Sequence, residues 1–371
     1  MARTPGRIQV VGTRPVRNRE DLAAVYTPGV ADDVRAIAED PASAREHTTS
    51  GRSVAIVSDG SAVLGLGDVG PRAALPVLEG KAALLSSLAD LNGWPICLHS
   101  REPDDIVRTL VDLAPGFAAI NLEDIAAPRC FVVRRNLANS LDIPVFHDDQ
   151  QGTAIITLAA LRNALRVVEK TLDQVRVVVS GAGAAGSAVA RLLLTAGVGE
   201  VRVCDRRGLL HPGRTELGGE KRWLAENTGA TAADDDLGGL LAGADVFVGV
   251  SAPDLLDAED VSRMAKNAVV FALANPDPEI PREVASEHAA VVATGSSEDP
   301  NQINNALVFP GLLRGLVDGS ARNLTPEMEL RAADAIAGLV PEDELTADHI
   351  VPDIFDERLV PAVASSVADP G

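Results

Sequence analysis

At 371 residues the chain exceeds one ordinary hydrophobic core and suits two α/β domains. Apolar residues make up 46% of it and aromatic residues only 3%, a composition of helices and buried strands packed by small and branched side chains. With 53 acidic against 33 basic residues, the formal net charge of −20 excludes a long-range attraction to nucleic acid or anionic lipid. An anionic substrate must then be held by local features: a metal, a lysine or a helix N-terminus.

Residues 1–10 are basic but lack the apolar stretch of a signal peptide, and nowhere do about eighteen apolar residues run uninterrupted. Cys97, Cys130 and Cys204 are odd in number, widely spaced and set in or beside apolar runs. They read as buried free thiols of a reducing compartment, so the expectation is a cytoplasmic protein with no membrane or nucleic-acid partner.

In chain order, residues 53–57 read as a strand, 73–91 as a helix and 94–98 as a strand. A helix over 104–113 follows, then strands near 117–122 and 143–146. This βαβ rhythm predicts a mostly parallel sheet flanked by helices. Residues 153–172 read as a long amphipathic helix connecting this unit to a second series that starts at Val175. The expected division is an α/β domain over 1–152 and a Rossmann domain with C-terminal helices over 153–371. The Gly/Asp-rich stretch 229–239 is short enough to be a surface loop.

The second series opens with chemistry. A strand over 175–179 runs into Ser180-Gly181-Ala182-Gly183-Ala184-Ala185-Gly186 and then a helix, which is GxGxxG in its required context. Gly181 allows the tight turn, Gly183 lets a pyrophosphate approach the backbone, and Gly186 lets helix and strand pack closely. The N–H groups around Ala184 and Ala185 face the phosphates. The next strand, over 200–204, ends at Asp205, where a carboxylate accepts the ribose hydroxyls of a dinucleotide. Asp205 favours NAD by repelling a 2′-phosphate, whereas Arg206 and Arg207 can pair with that phosphate. The balance leans to NAD and leaves NADP open.

Two acidic pairs, Glu123-Asp124 and Asp148-Asp149, each follow an apolar strand in the first domain. They therefore sit at carboxyl ends of strands, the edge where parallel sheets place ligands. Oxygen-only donors suit Mg2+ or Mn2+, and no His or Cys spacing suggests zinc. Adjacent loop acids are also commonly just solvated, and spacing does not separate the two readings.

The motifs Tyr26-Thr27-Pro28-Gly29-Val30, Leu64-Gly65-Leu66-Gly67-Asp68-Val69-Gly70, Glu79-Gly80-Lys81, Asn121-Leu122-Glu123-Asp124-Ile125, Phe146-His147-Asp148-Asp149-Gln150 and NQINNALVFPG at 301–311 resemble, in order, those of the malic enzymes. The length is similar to the short bacterial form. The resemblance implies oxidation and decarboxylation of malate or a close 2-hydroxy acid with NAD or NADP. Glu123, Asp124 and Asp149 are the implied metal ligands, Lys81 the base for the C2 hydroxyl, Asp148 its orienting partner and Tyr26 the acid for the enol. It also implies Asn275 at the nicotinamide, Asn304 and Asn305 at the substrate, and a homodimer. Tyr26 is the one tyrosine of the chain, and from the residues alone it reads equally as an interfacial aromatic. Asn275-Pro276 is also an ordinary turn signal.

The surroundings depart from the short bacterial pattern. Gln151 replaces a histidine, Ser296 a basic residue, and His99 follows Cys97-Leu98 in place of an acid. Such changes leave room for another 2-hydroxy acid in a dedicated pathway. Two rivals are a folate or amino-acid dehydrogenase, which has no need of three metal-directed acids beside Lys81, and a non-catalytic dinucleotide-binding homologue, which is expected to have lost one of these residues.

Overall fold

The computed structural model describes residues 6–229 and 236–368. The first sheet contains β1 (Ser53–Ser58), β2 (Asn92–Cys97), β3 (Ala119–Leu122) and β4 (Val145–His147) in the order β2-β1-β3-β4. All its pairings are parallel, with Val57 opposite Leu122 and Leu122 opposite His147. Alternation along β1 explains the layering. Val54 and Ile56 face a core with Leu78 and Leu85 of the helix Pro71–Ala89. Ala55 and Val57 face Ile106, Leu110, Val133 and Leu137 of the helices Pro103–Leu113 and Arg129–Ser140. Edge strand β2 is only partly covered, so Cys97 is half-buried where full burial was expected; Cys130 and Cys204 are buried, and all three are free thiols.

The connecting helix differs from its sequence reading. It spans Thr153–Val167 and stops there because Glu169 takes a left-handed backbone, φ 57°. Ile155, Ile156, Leu158, Leu161 and Ala164 are all buried, so it is apolar nearly all round rather than amphipathic. Such a helix belongs inside a protein, and it lies in one continuous core with side chains of both sheets.

The second sheet holds β5 (Arg176–Ser180), β6 (Glu200–Asp205), β7 (Gly208–Leu209), β8 (Val246–Gly249), β9 (Val269–Ala272) and β10 (Val291–Thr294). Its order is β10-β9-β8-β5-β6-β7, parallel except for the short β7. Strand order reverses between β5 and β8, which opens a crevice at their carboxyl ends. In the Gly/Asp-rich stretch, residues 230–235 lie outside the described residues, and Leu237–Leu241 is helical, capped by Asp236. The C-terminal helix Leu359–Ala368 packs on both Phe309–Asp318 and Pro326–Ala337, and Pro326–Ala337 also lies along Thr153–Val167.

The N-terminal helices Arg19–Val25 and Val30–Glu39 bury none of their residues. Val10, Val11, Val16, Leu22, Tyr26 and Val34 leave this segment with an exposed apolar surface. Among the described residues no helix is long and apolar enough to cross a membrane.

Candidate active site

The carboxyl ends of β3 and β4 gather the predicted acids. Pairing of β1 with β3 carries on past the strand as Glu123 N–H donates to Val57 O at 2.8 Å, and Asp124 takes a left-handed backbone, φ 54°. Past β4 the chain makes one turn of π-helix, Asp148–Gly152, before the long helix. Such turns re-aim side chains at functional sites. Here the turn lets Asp149 Oδ2 accept from Asp124 N–H at 2.9 Å, joining the two acidic pairs.

One carboxylate oxygen from each of Glu123, Asp124 and Asp149 lies within 4.8 Å of the others. Lys81, from the middle of Pro71–Ala89, points into the same place. Its Nζ is 2.6 Å from Asp148 Oδ2, 3.2 Å from Glu123 Oε2 and 4.4 Å from the centre of the Phe309 ring. Asn305 Nδ2 donates to the same Asp148 oxygen at 2.8 Å, and Asn305 Oδ1 accepts from Thr153 Oγ1 at 3.2 Å. Asn121 Nδ2 donates to Glu123 Oε2 at 3.2 Å. Asn121 and Phe309 lie within the quoted motifs and Thr153 just beyond one, and the sequence reading gave none of the three a role.

The Lys81 ammonium faces three acids, Asp148, Glu123 and Asp149. Burial pulls the Lys81 ammonium down, but Asp148, Glu123 and Asp149 outweigh burial and hold its pKa above the ordinary value. Burial pushes Glu123 well up, against the pull of Lys81. Asp149 is pushed up to about 7 by burial, Asp124 and Asp148. His147, buried beside them, is pushed down to about 3 by burial and the nearby Arg134, and is therefore neutral. Three acceptor-only oxygens converging in a place short of positive charge fit a hard divalent cation.

The dinucleotide crevice is built as the glycine spacing predicts. Gly181 has φ +114°, and a Cβ at Gly186 would lie 1.9 Å from Gly181 O. Around Gly183, in contrast, a Cβ would meet nothing within 4 Å, which leaves open the approach to the first turn of Ala184–Thr195. That helix packs against the acid turn Asp148–Gly152, so the crevice and the acids share one wall. Asn275 follows β9, and its carbonyl approaches so closely that a Cβ on Gly65 would lie 1.9 Å from it. This contact brings the Ala274-Asn275-Pro276 loop to the first domain's glycine-rich motif.

Other predicted residues fare differently. Asn304 spends its side-chain oxygen capping the short turn Asn305–Leu307, accepting from Ala306 N–H at 2.9 Å, while its neighbour Asn305 reaches Asp148. Tyr26 has no side-chain hydrogen bond to the acid cluster among the described residues, and it is 66% exposed. Arg206 and Arg207 are exposed. Asp205 is clamped by two residues the sequence reading missed. Its Oδ1 accepts from Arg207 N–H and Arg214 Nη1, both at 2.9 Å. Its Oδ2 accepts from Lys221 Nζ at 2.6 Å and Arg214 Nη2 at 3.3 Å. Burial opposes its charge, yet Arg214 and Lys221 hold its carboxyl far below the usual range. Of the departures from the short bacterial pattern, Gln151 is buried and bonded to Glu329, whereas His99 is exposed.

Comparison with known proteins agrees with this architecture. A family model described as the malic enzyme N-terminal domain matches residues 5–138, and one described as the malic enzyme NAD binding domain matches residues 150–369. The chain is 49% identical to an NAD-dependent malic enzyme of Geobacillus stearothermophilus, over 98% of this chain and 76% of that one. It is 46% identical to a bifunctional malic/malolactic enzyme of Bacillus subtilis, over 98% and 89%. The crystal structure of an NAD-dependent malic enzyme from Thermotoga maritima superposes with a TM-score of 0.93 at 44% identity, covering 98% of this chain and 96% of that one. Matches to both domain models, over residues 5–138 and 150–369, establish that this chain belongs to the malic enzyme family.

Proposed function

We infer that the chain catalyses oxidative decarboxylation of malate to pyruvate and carbon dioxide with reduction of a nicotinamide dinucleotide. The observation that carries this reading is Lys81 hydrogen-bonded to Asp148 beside three convergent carboxylates, with the glycine loop's helix packed on the same turn. Glu123, Asp124 and Asp149 hold a divalent cation, Mg2+ or Mn2+. When bound it supplies Lewis acidity to the substrate oxygens and offsets the acids' field that keeps Lys81 protonated. Lys81 then takes the proton of the C2 hydroxyl, while Asp148, fixed by Asn305, keeps its Nζ aimed. Hydride leaves C2 for the nicotinamide, giving a β-keto acid. After the carboxyl group remote from C2 leaves as carbon dioxide, Tyr26 protonates the resulting enolate at carbon.

We place the division between the two domains at residue 152, where the acid turn ends. The exposed apolar side chains of the N-terminal segment, Tyr26 among them, support a homodimer that covers it. A cytoplasmic location rests on the three free thiols. The defining test is a panel of 2-hydroxy acids with each dinucleotide and Mn2+, following reduced nicotinamide and carbon dioxide together. Malate is expected to give the two products in equal amounts and to be the best substrate. Reduced nicotinamide without carbon dioxide would sink the decarboxylase reading, and a better acid would transfer it to a specialised pathway.

The dinucleotide preference turns on Asp205. A carboxylate offers about four acceptor sites, and all four on Asp205 are taken. A ribose hydroxyl must displace a donor, and Lys221, 41% exposed and, among the described residues, bonded only here, is the easiest to displace. Arg214 is anchored besides by Glu216 and the Gly208 carbonyl. Lys221→Ala therefore raises efficiency with NAD and lowers it with NADP. A hydrogen bond to a charged group is worth roughly 1.5–3 kcal/mol, so the ratio of the two kcat/KM values moves by about tenfold or more. An unchanged ratio would show that the ribose does not lie at Asp205.

A further inference from the structure

The acid turn Asp148–Gly152 supplies both Asp148 and Asp149, yet it is a single turn of an uncommon helix and needs support from outside itself. Two of its side chains find that support. Gln150 Oε1 accepts from Arg134 Nε at 3.2 Å. Gln151, 5% exposed, makes two bonds: its Oε1 accepts from His147 N–H at 3.1 Å and its Nε2 donates to Glu329 Oε1 at 2.7 Å. Glu329 lies 178 residues further along, in the first turn of the C-terminal helix Pro326–Ala337. Arg134 and Glu329 also attract each other's charge, so the glutamine pair is held between a cation and an anion.

The order of these contacts has a chemical meaning. His147 is the last residue of β4, and Gln151 sits one turn later, so the Gln151 amide closes the turn across its two ends. Asp148 and Asp149 are the two residues enclosed next to His147. An amide bridging a main-chain N–H and a half-buried carboxylate has one orientation that satisfies both, carbonyl to the N–H and amine to the carboxylate. Glu329 fixes that orientation. Without an acceptor at Glu329, the buried Gln151 amine has no partner, and the relief available to it is rotation away from His147.

We propose that Glu329 is a positioning residue for the metal ligand Asp149 and for Lys81's partner Asp148, acting through Gln151 from the C-terminal helix. The proposal rests on the reading of Glu123, Asp124 and Asp149 as the cation site. It makes the C-terminal helix part of the catalytic apparatus although it supplies no group to the substrate, and it assigns Gln151 a use for which no charged residue is needed.

The test is Mn2+ binding to the full-length protein, read from the electron paramagnetic resonance of free Mn2+, with melting temperature measured alongside. Loss of an outer partner of a metal ligand costs about 10–100-fold in affinity, and Glu329→Ala is expected within that range. Glu329→Gln, whose side-chain carbonyl still accepts from Gln151, is expected to stay close to the wild type. Thr325→Ala removes the N-cap of the same helix without touching Gln151 and is expected to lower the melting temperature while leaving Mn2+ affinity unchanged. Should Glu329→Ala not fold, the reversed pair serves in its place. Gln151→Glu alone sets two carboxylates against each other and weakens Mn2+ binding, and adding Glu329→Gln restores it. Wild-type affinity in Glu329→Ala, an equal loss in Glu329→Gln, an equal loss in Thr325→Ala or failure of the reversed pair to recover would each overturn the proposal. A wild-type protein that binds no Mn2+ would instead overturn the metal reading itself.

Discussion

Lys81→Ala is expected to abolish oxidation, lowering kcat by about a hundredfold to ten-thousandfold, the range for a positioned acid–base group. The size follows from how little else can take the proton. Asp148 is 1% exposed and already accepts from Lys81 and Asn305, and Glu123 and Asp149 are assigned to the cation. His147, although buried nearby, is held neutral by burial, with Arg134 and Lys81 further disfavouring its charged form. Tyr26→Phe should produce a different lesion. If Tyr26 acts only on the enol, a single turnover still reduces the nicotinamide at the wild-type rate while pyruvate appears about a hundredfold more slowly. Rapid-quench measurement of both products separates the two. Normal hydride transfer in Lys81→Ala, or normal pyruvate formation in Tyr26→Phe, would end the corresponding assignment.

What the sequence made legible was whatever rests on local spacing. The strand, glycine loop, helix and acid from Arg176 to Asp205 lie within one supersecondary unit, and each glycine does in the structure what its spacing requires. Acidic pairs after apolar strands likewise came out at strand ends, because parallel strands share a direction. Contacts between distant segments were not legible. Nothing in the sequence near Asp205 tells that Lys221, sixteen residues later, fills its last acceptor site. Nor does anything near Gln151 point to Glu329. The connecting helix was misread for a related reason: periodicity reports the face turned to water, and this helix has almost none, being enclosed by two domains whose packing the pattern does not contain. Asn304 and Asn305 illustrate the finest limit. They are adjacent and identical, and only the turn geometry sends one side chain to Asp148 and the other to cap its own backbone.

Chelation is expected to remove turnover completely, and Asp149→Asn to lower Mn2+ affinity by more than the roughly 10–100-fold that changes to outer partners cost. The same acid predicts how the metal-free protein responds to pH. Asp149 is pushed up to about 7 in the folded chain, against about 3.9 in an unfolded one. Between those values the folded state binds more protons than the unfolded state, so stability falls as pH rises and levels off above the upper value. Metal-free wild type should therefore melt at a lower temperature at about pH 7 than at about pH 5, and Asp149→Asn, which cannot ionise, should flatten part of that slope. Added Mn2+ binds the ionised acids of the native state alone, so its stabilisation should grow across the same window. A melting temperature that climbs with pH equally in wild type and Asp149→Asn, with no response to Mn2+, would mean that the acids are not crowded in solution. In that case the three-carboxylate site would lose its physical basis.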